Sequence, residues 1–209
     1  MSLHSGRRVV SDLQALRALA HPLRLELRAL IGRAGPLTAA EAARHLGISQ
    51  ALASHHLRHL ARQGFVEPAD AVDRRSRPWR LTATSHRWDP GDSRAAQEQV
   101  DAIERALVER SAAYLAAWQR RRAPRETRWS AQSGVSQSLL YLTVEEMAQL
   151  RRDWEAVVAP LAGRRPLGDA GRRPAGAVAV DVTLVVVPLP GDAAPPQARR
   201  KASRRKASR

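Results

Sequence analysis

Residues 38–66, "TAAEAARHLGISQALASHHLRHLARQGFV", limit what this chain can fold into more than any other stretch. Thr38 stands three residues before Glu41. That is the spacing of a capping box, in which hydroxyl and carboxylate satisfy each other's free backbone amides at a helix start. The spacing predicts a short helix over 38–46. A turn at "GIS" follows, with Ser49 placed as the N-cap of a second helix and Gly64 as its C-cap. Two helices joined by a Gly-containing turn of a few residues form a helix-turn-helix unit.

The flanking segments support that unit. In "LQALRALAHPLRLELRALIGRAG", Leu13, Leu16 and Leu19 carry helical apolar spacing up to His21-Pro22. Pro22 suits the first turn of a new helix, in which Leu23, Leu27 and Leu30 share one face before Gly32 and Gly35-Pro36 stop it. Downstream, "FVEPADAVDRRSRPWRLTA" holds two β-prone pieces, 65–67 and 79–82, around a polar connection with Arg74, Arg75 and Arg77. This reads as a β-hairpin with a basic tip, although no two-residue turn signal sets its register.

At 100° per residue the second helix divides cleanly. Ala53, Leu57 and Leu60 fall together and are expected to be buried. Opposite lie Ala51, Ser54, His55, Arg58 and Arg62, a polar face with small residues that permit close approach. Arg58 suits a guanine edge or a phosphate, and Gln50, Ser54 and His55 suit base-edge or backbone bonds. A protonated His55 on such a face would weaken binding as pH rises. The alternative is an ordinary solvated helix face. His56 borders the apolar stripe and His59 lies between the two faces. His55 and His59 are close enough to share a metal, but tetrahedral zinc needs three or four ligands and no nearby residue completes the set, so no metal is expected.

Charge separates the chain into parts. Of the net +15, an excess of 7 lies in residues 1–91, 1 in 92–122, none in 123–198, and 7 in 199–209. An excess confined to one domain and a terminal tail suits a polyanionic partner, usually nucleic acid. Codon bias towards Arg accounts for part of the total, since Lys supplies only two of the 35 basic residues, and for less of the distribution. With no cysteine there is neither a disulfide framework nor a thiolate metal site, and no stretch resembles a signal peptide or membrane span. A cytoplasmic location is the expectation.

Taken together, "ALAHPLRLELRAL", the helix-turn-helix stretch and the Arg-rich hairpin resemble the winged helix domain of ArsR-like transcriptional regulators, over residues 12–85. The resemblance implies a homodimer that places the second helix of each unit in adjacent major grooves of double-stranded DNA, with the wings beside the phosphate backbone. Repression is the action it implies. Metal-sensing members commonly use a cysteine pair, and this chain has none, so that property does not carry over.

Beyond the hairpin, Ala96, Val100, Ile103, Leu107, Tyr114 and Trp118 form an apolar stripe on a helix of about 28 residues, suited to dimerisation or to packing on the chain's own C-terminal part. Then "VSQSLLYLTVEEMAQLRRDWEAVVAPL" reads as a strand and a helix started by a second capping box, Thr143 with Glu146. The inner stripe of that helix is Met147, Leu150, Trp154, Val157 and Val158. In "AVAVDVTLVVVPLP", Val180, Val182, Leu184 and Val186 alternate as in a half-buried strand. The end, "ARRKASRRKASR", has no apolar content and reads as a disordered basic arm.

The expected fold is α+β. A winged helix-turn-helix domain spans 1–91, a long helix 92–122, a small strand-helix-strand module 123–190 and a basic tail 191–209. No catalytic constellation, phosphate loop or cofactor motif is present, so the expected function is transcriptional regulation rather than catalysis. An unidentified effector or protein partner could occupy the C-terminal module. The competing readings are a nucleic-acid-coating protein driven by the tail and a protein-interaction adaptor whose winged helix has lost DNA binding.

Overall fold

The computed structural model describes residues 8–70, 77–83, 86–121, 127–164 and 174–189. The chain opens with a short strand, β1 (Arg8–Val10), and two helices, α1 (Leu13–Leu19) and α2 (Pro22–Ala34). Each helix has a local reason to start. Asp12 accepts a hydrogen bond from the Ala15 amide at 2.8 Å, and the Nδ1 of His21 accepts one from the Leu23 amide at 3.2 Å, with Pro22 in the first turn. These bonds satisfy amides that have no partner inside the helix. Gly35, at φ 95°, ends α2 in a backbone region open to glycine.

The predicted pair follows as α3 (Ala39–Leu46) and α4 (Gln50–Arg62). Leu16, Leu19, Leu27, Ile31, Leu57 and Leu60 are fully buried, so one apolar face of each of α1, α2 and α4 meets a common core. Burying each such side chain contributes about 1.5–3 kcal/mol.

The hairpin forms as β2 (Val66–Pro68) antiparallel to β3 (Trp79–Leu81), with Val66 opposite Leu81 and Pro68 opposite Trp79. Between them Glu67 and Arg80 pair across the strands, with Nε 2.8 Å from Oε1. Leu37 and Trp79 exchange backbone hydrogen bonds, so the residue ahead of α3 acts as a third strand of the wing. Phe65 lies just ahead of β2 rather than in it, and its ring fills the core. A further strand, β4 (His86–Trp88), pairs in parallel with β1, from Arg8 opposite His86 to Val10 opposite Trp88. The sequence reading had assigned no strand to either segment.

The long helix is α5 (Arg94–Arg121), the expected 28 residues. Ala96, Val100 and Ile103 are buried in the core of the same chain, against α1. This corrects the expectation that the whole stripe faces a second copy, because side chains sealed inside one subunit are not available to another. Leu107 is half-buried on the core's edge, and Tyr114 and Trp118 are half-buried further along.

C-terminal to α5 lie α6 (Thr127–Ser130) and α7 (Val144–Arg164). The second capping box forms, with Thr143's amide on Glu146 at 2.7 Å and Glu146's amide on Thr143 Oγ1 at 3.2 Å. Met147, Trp154 and Val158 are half-buried, whereas Leu150 and Val157 are exposed. The two predicted flanking strands do not form. Residues 135–143 and 177–189 carry no regular secondary structure and no strand partner among the described residues, and Val180 is 67% exposed. Their alternation is strand-like, but an apolar face becomes half-buried only when a neighbour covers it.

Candidate nucleic-acid interface

The helix-turn-helix is held by its caps. Thr38's amide and hydroxyl both donate to Glu41 Oε2, at 2.8 and 2.7 Å, and the Glu41 amide returns a bond to Thr38 Oγ1 at 3.2 Å. The same bonds hold the Glu41 carboxyl below the usual carboxylate range. Gly47, at φ 64°, reverses the chain in the left-handed region, and the Ile48 amide closes back on Ala43 at 3.1 Å. Ser49 Oγ then accepts from the Leu52 amide at 3.2 Å and starts α4. The turn therefore sets the angle at which α4 leaves α3.

The two faces of α4 are those its periodicity predicts. Ala53, Leu57 and Leu60 are fully buried. Gln50, Ala51, His55, Arg58 and Arg62 are exposed, and Ser54 is half-buried beside them. Arg58 donates to Ser54 Oγ at 2.7 Å, one turn back along the helix. This face carries two guanidiniums, a hydroxyl, an amide and an imidazole with no carboxylate among them, a set suited to phosphates and base edges. Leu52, 40% exposed, adds an apolar contact at its rim.

The histidines separate. His55 is on the open face. His56 is buried, its ring 4.7 Å from His21 and 5.2 Å from His55. Burial, then the neighbouring His21 and Arg24, push it down to about 4, so it is neutral at ordinary pH. His59 is half-buried and lowered for the same first reason. Among the described residues no group of three or more His, Asp or Glu side chains is arranged to hold a metal ion.

In the wing, Arg77 is exposed at the foot of β3. Arg74, Arg75 and the basic tail 191–209 lie outside the described residues.

One positioning residue was missed by the sequence reading. The Arg8 guanidinium donates to the carbonyls of Gly64 at 2.5 Å and Gln63 at 3.0 Å and lies 4.8 Å from the Phe65 ring centre. It caps the C-terminal end of α4, where free carbonyls and the helix dipole favour a cation. Gly64 serves this contact twice. Its φ of 68° suits glycine, and a Cβ there would come within 3.2 Å of Arg8 Nη1. The only sequence signal was "RRVV", a cation next to a β-branched pair.

Comparison with known proteins is consistent with this geometry over its first third. Residues 19–69 match the family described as a helix-turn-helix domain. No curated protein sequence matches the chain. Among solved structures, the chain is similar to the heme sensor protein PefR, crystallised with heme and carbon monoxide, at 16% identity and a TM-score of 0.28, covering 71% of this chain and 80% of that one. It is also similar to the multiple antibiotic-resistance repressor MarR from Listeria monocytogenes 4b F2365, at 15% identity and a TM-score of 0.27, covering 71% of this chain and 82% of that one.

Proposed function

We propose that this chain is a transcriptional regulator that binds double-stranded DNA as a homodimer. It places α4 in the major groove and the basic wing along the phosphate backbone. The observation that carries the reading is the exposed, carboxylate-free face of α4, presented by a helix-turn-helix whose turn and both N-caps are formed. The domain match over residues 19–69 supports it. The resemblance to ArsR-like regulators favours repression, without thiolate metal sensing. No helix among the described residues is long and apolar enough to cross a membrane.

The homodimer is supported by the C-terminal half. Among the described residues, sixteen of the twenty exposed large hydrophobic ones lie in 135–189, and none beyond Ile103 is buried. An apolar surface of that extent calls for a cover.

Selection of genomic fragments by the purified protein at near-physiological salt tests the reading. Enrichment of one sequence with two half-sites is expected, because a two-fold dimer reads a two-fold site. Uniform recovery of all fragments would favour the coating alternative driven by the tail.

A further inference from the structure

The strongest alternation of residue types in the chain lies where the N-terminal core does not reach. From 177 to 187 the even positions are Val178, Val180, Val182, Leu184 and Val186, and the odd ones include Asp181 and Thr183. Asp181 is the one charged side chain of this stretch. Gly176, at φ 76°, turns the chain at one end, and Pro188, which offers no N–H, closes the other. β-Branched residues at this spacing suit a pleated strand, yet the segment carries no regular secondary structure.

Its backbone is as open as its side chains. Among the described residues, 178–187 make no backbone–backbone hydrogen bond, and the Arg151 guanidinium reaches the Val186 carbonyl at 3.5 Å. Asp181 and Thr183 meet the Ser111 hydroxyl of α5 at 2.5 and 2.7 Å, which ties the odd side to the chain's own helix at that point. Val178, Val180 and Val182, on the even side, stay more than half exposed. Open N–H and C=O groups on such a segment are a template for another strand. Residues 123–198 carry no net charge, so a second copy approaches this part of the chain without overall repulsion.

We propose that residues 177–187 pair with the same residues of a second copy as an antiparallel two-stranded ribbon, with Val182 on the two-fold axis. The inference rests on the homodimer reading and specifies where and how the two copies join. A two-fold contact pairs a segment with itself, residue i against j and j against i. Registers that keep even positions opposite even ones unite the apolar rows of both copies on one face, and a slip by one residue separates them. Centring on Asp181 would set two carboxylates directly opposite each other, which is unfavourable. Centring on Val182, the midpoint between Gly176 and Pro188, pairs the whole segment. It also sets Asp181 opposite the partner's Thr183, a hydroxyl able to donate to it, and Val180 opposite the partner's Leu184. An isolated two-stranded ribbon is marginal in water. Here each strand is also anchored to its own α5 through Ser111.

The chain has no cysteine, so an introduced thiol reports one position. Val182→Cys in the full-length protein, under mild oxidation, is expected to give a disulfide-linked dimer as the main product. Opposite Cα atoms of an antiparallel pair lie about 4.5–5.5 Å apart, within disulfide reach. Val178→Cys should stay unlinked, because the two copies of that residue would be roughly 27 Å apart along the ribbon. Combined with Val186→Cys it should link, since those two positions face each other. In the unmodified protein, every second amide of 178–187 should exchange with solvent deuterium at least about tenfold more slowly than in an unstructured chain. A dimer by sedimentation that gives no Val182→Cys link, that links through Val178→Cys equally well, or whose 178–187 amides exchange at unstructured rates would overturn the ribbon and leave the homodimer standing. Slow exchange without the Val182→Cys link would assign the segment to a different strand and overturn it likewise. A monomer would overturn both.

Discussion

Arg58 and Ser54 are joined on the open face of α4, the guanidinium donating to the hydroxyl at 2.7 Å. The bond holds the longest side chain of that face back along the helix, over the turn nearer its N-terminus. It is thereby turned towards the N-terminal turns of α4, the end that enters the groove first in a helix-turn-helix. Arg58→Ala is therefore expected to lose about 1–3 kcal/mol of preference for the selected site over random DNA. Ser54→Ala should lose less, because it frees the Arg58 head without removing it. Fluorescence anisotropy with the selected and a scrambled duplex measures both. Equal loss on the two duplexes would assign Arg58 to phosphate rather than to a base.

The caps carry the orientation of α4, so they are expected to govern stability ahead of contact chemistry. Thr38→Ala removes the hydroxyl's one accepted and one donated bond at the start of α3, leaves the Thr38 amide on Glu41, and should destabilise the domain by about 1 kcal/mol. Ser49→Ala removes the single cap bond of α4 and should cost less. Urea unfolding followed by helical circular dichroism separates the two. A Thr38→Ala protein with an unchanged midpoint would show that the box contributes nothing in this setting.

One buried histidine, His56, and one half-buried histidine, His86, make stability depend on pH. His56 is pushed down to about 4 and His86 to about 3, in each case by burial first; His21 and Arg24 add to the effect at His56, and Arg28 and Arg8 at His86. Both sit below the ordinary histidine value of about 6.5 that the unfolded chain recovers. Between that value and the folded ones the unfolded state binds more protons, so stability is full above about pH 6.5 and falls as pH drops towards 4 and 3. The urea midpoint should fall between about pH 7 and about pH 5, and His56→Gln should flatten part of that slope. A midpoint equal at both pH values would contradict the lowering of these two rings by their surroundings.

Much of this was legible because the informative signals are local. The capping box at Thr38, the turn at Gly47 and the division of α4 into a buried and an open face depend on residues within one or two turns of each other. The β1–β4 pairing escaped the reading because its partners are far apart in sequence, and "RVV" and "HRW" are too short to declare strands alone. Arg8 escaped for the same reason, since its carbonyl partners lie 55 and 56 residues away. At the C-terminus the error ran the other way. The alternation in 177–189 is that of a half-buried strand, yet burial is a property of a neighbour, and the described residues leave Val178, Val180 and Val182 more than half exposed. Helix α5 shows both effects, with Val100 and Ile103 claimed by the chain's own core and the later part of the stripe, Leu107, Tyr114 and Trp118, only half-buried.

That uncovered C-terminal surface makes the last prediction. Val178, Val180, Val182 and Leu184 alternate along a segment without regular secondary structure that touches α5 through Asp181 and Thr183, bonded to Ser111 at 2.5 and 2.7 Å. The polar members of the alternation thus bond to this chain's own helix, and the valines are 58–67% exposed. A second copy laid on that side would bury them, each contributing about 1.5–3 kcal/mol if fully covered. The protein is expected to sediment as a dimer, and Val180→Asp combined with Val182→Asp should shift it to monomer while the helical circular dichroism of the N-terminal domain persists. Binding to a two-half-site duplex should weaken far more than binding to a single half-site. A wild-type chain that stays monomeric at micromolar concentration would remove the homodimer from the reading and leave the C-terminal surface to a different partner.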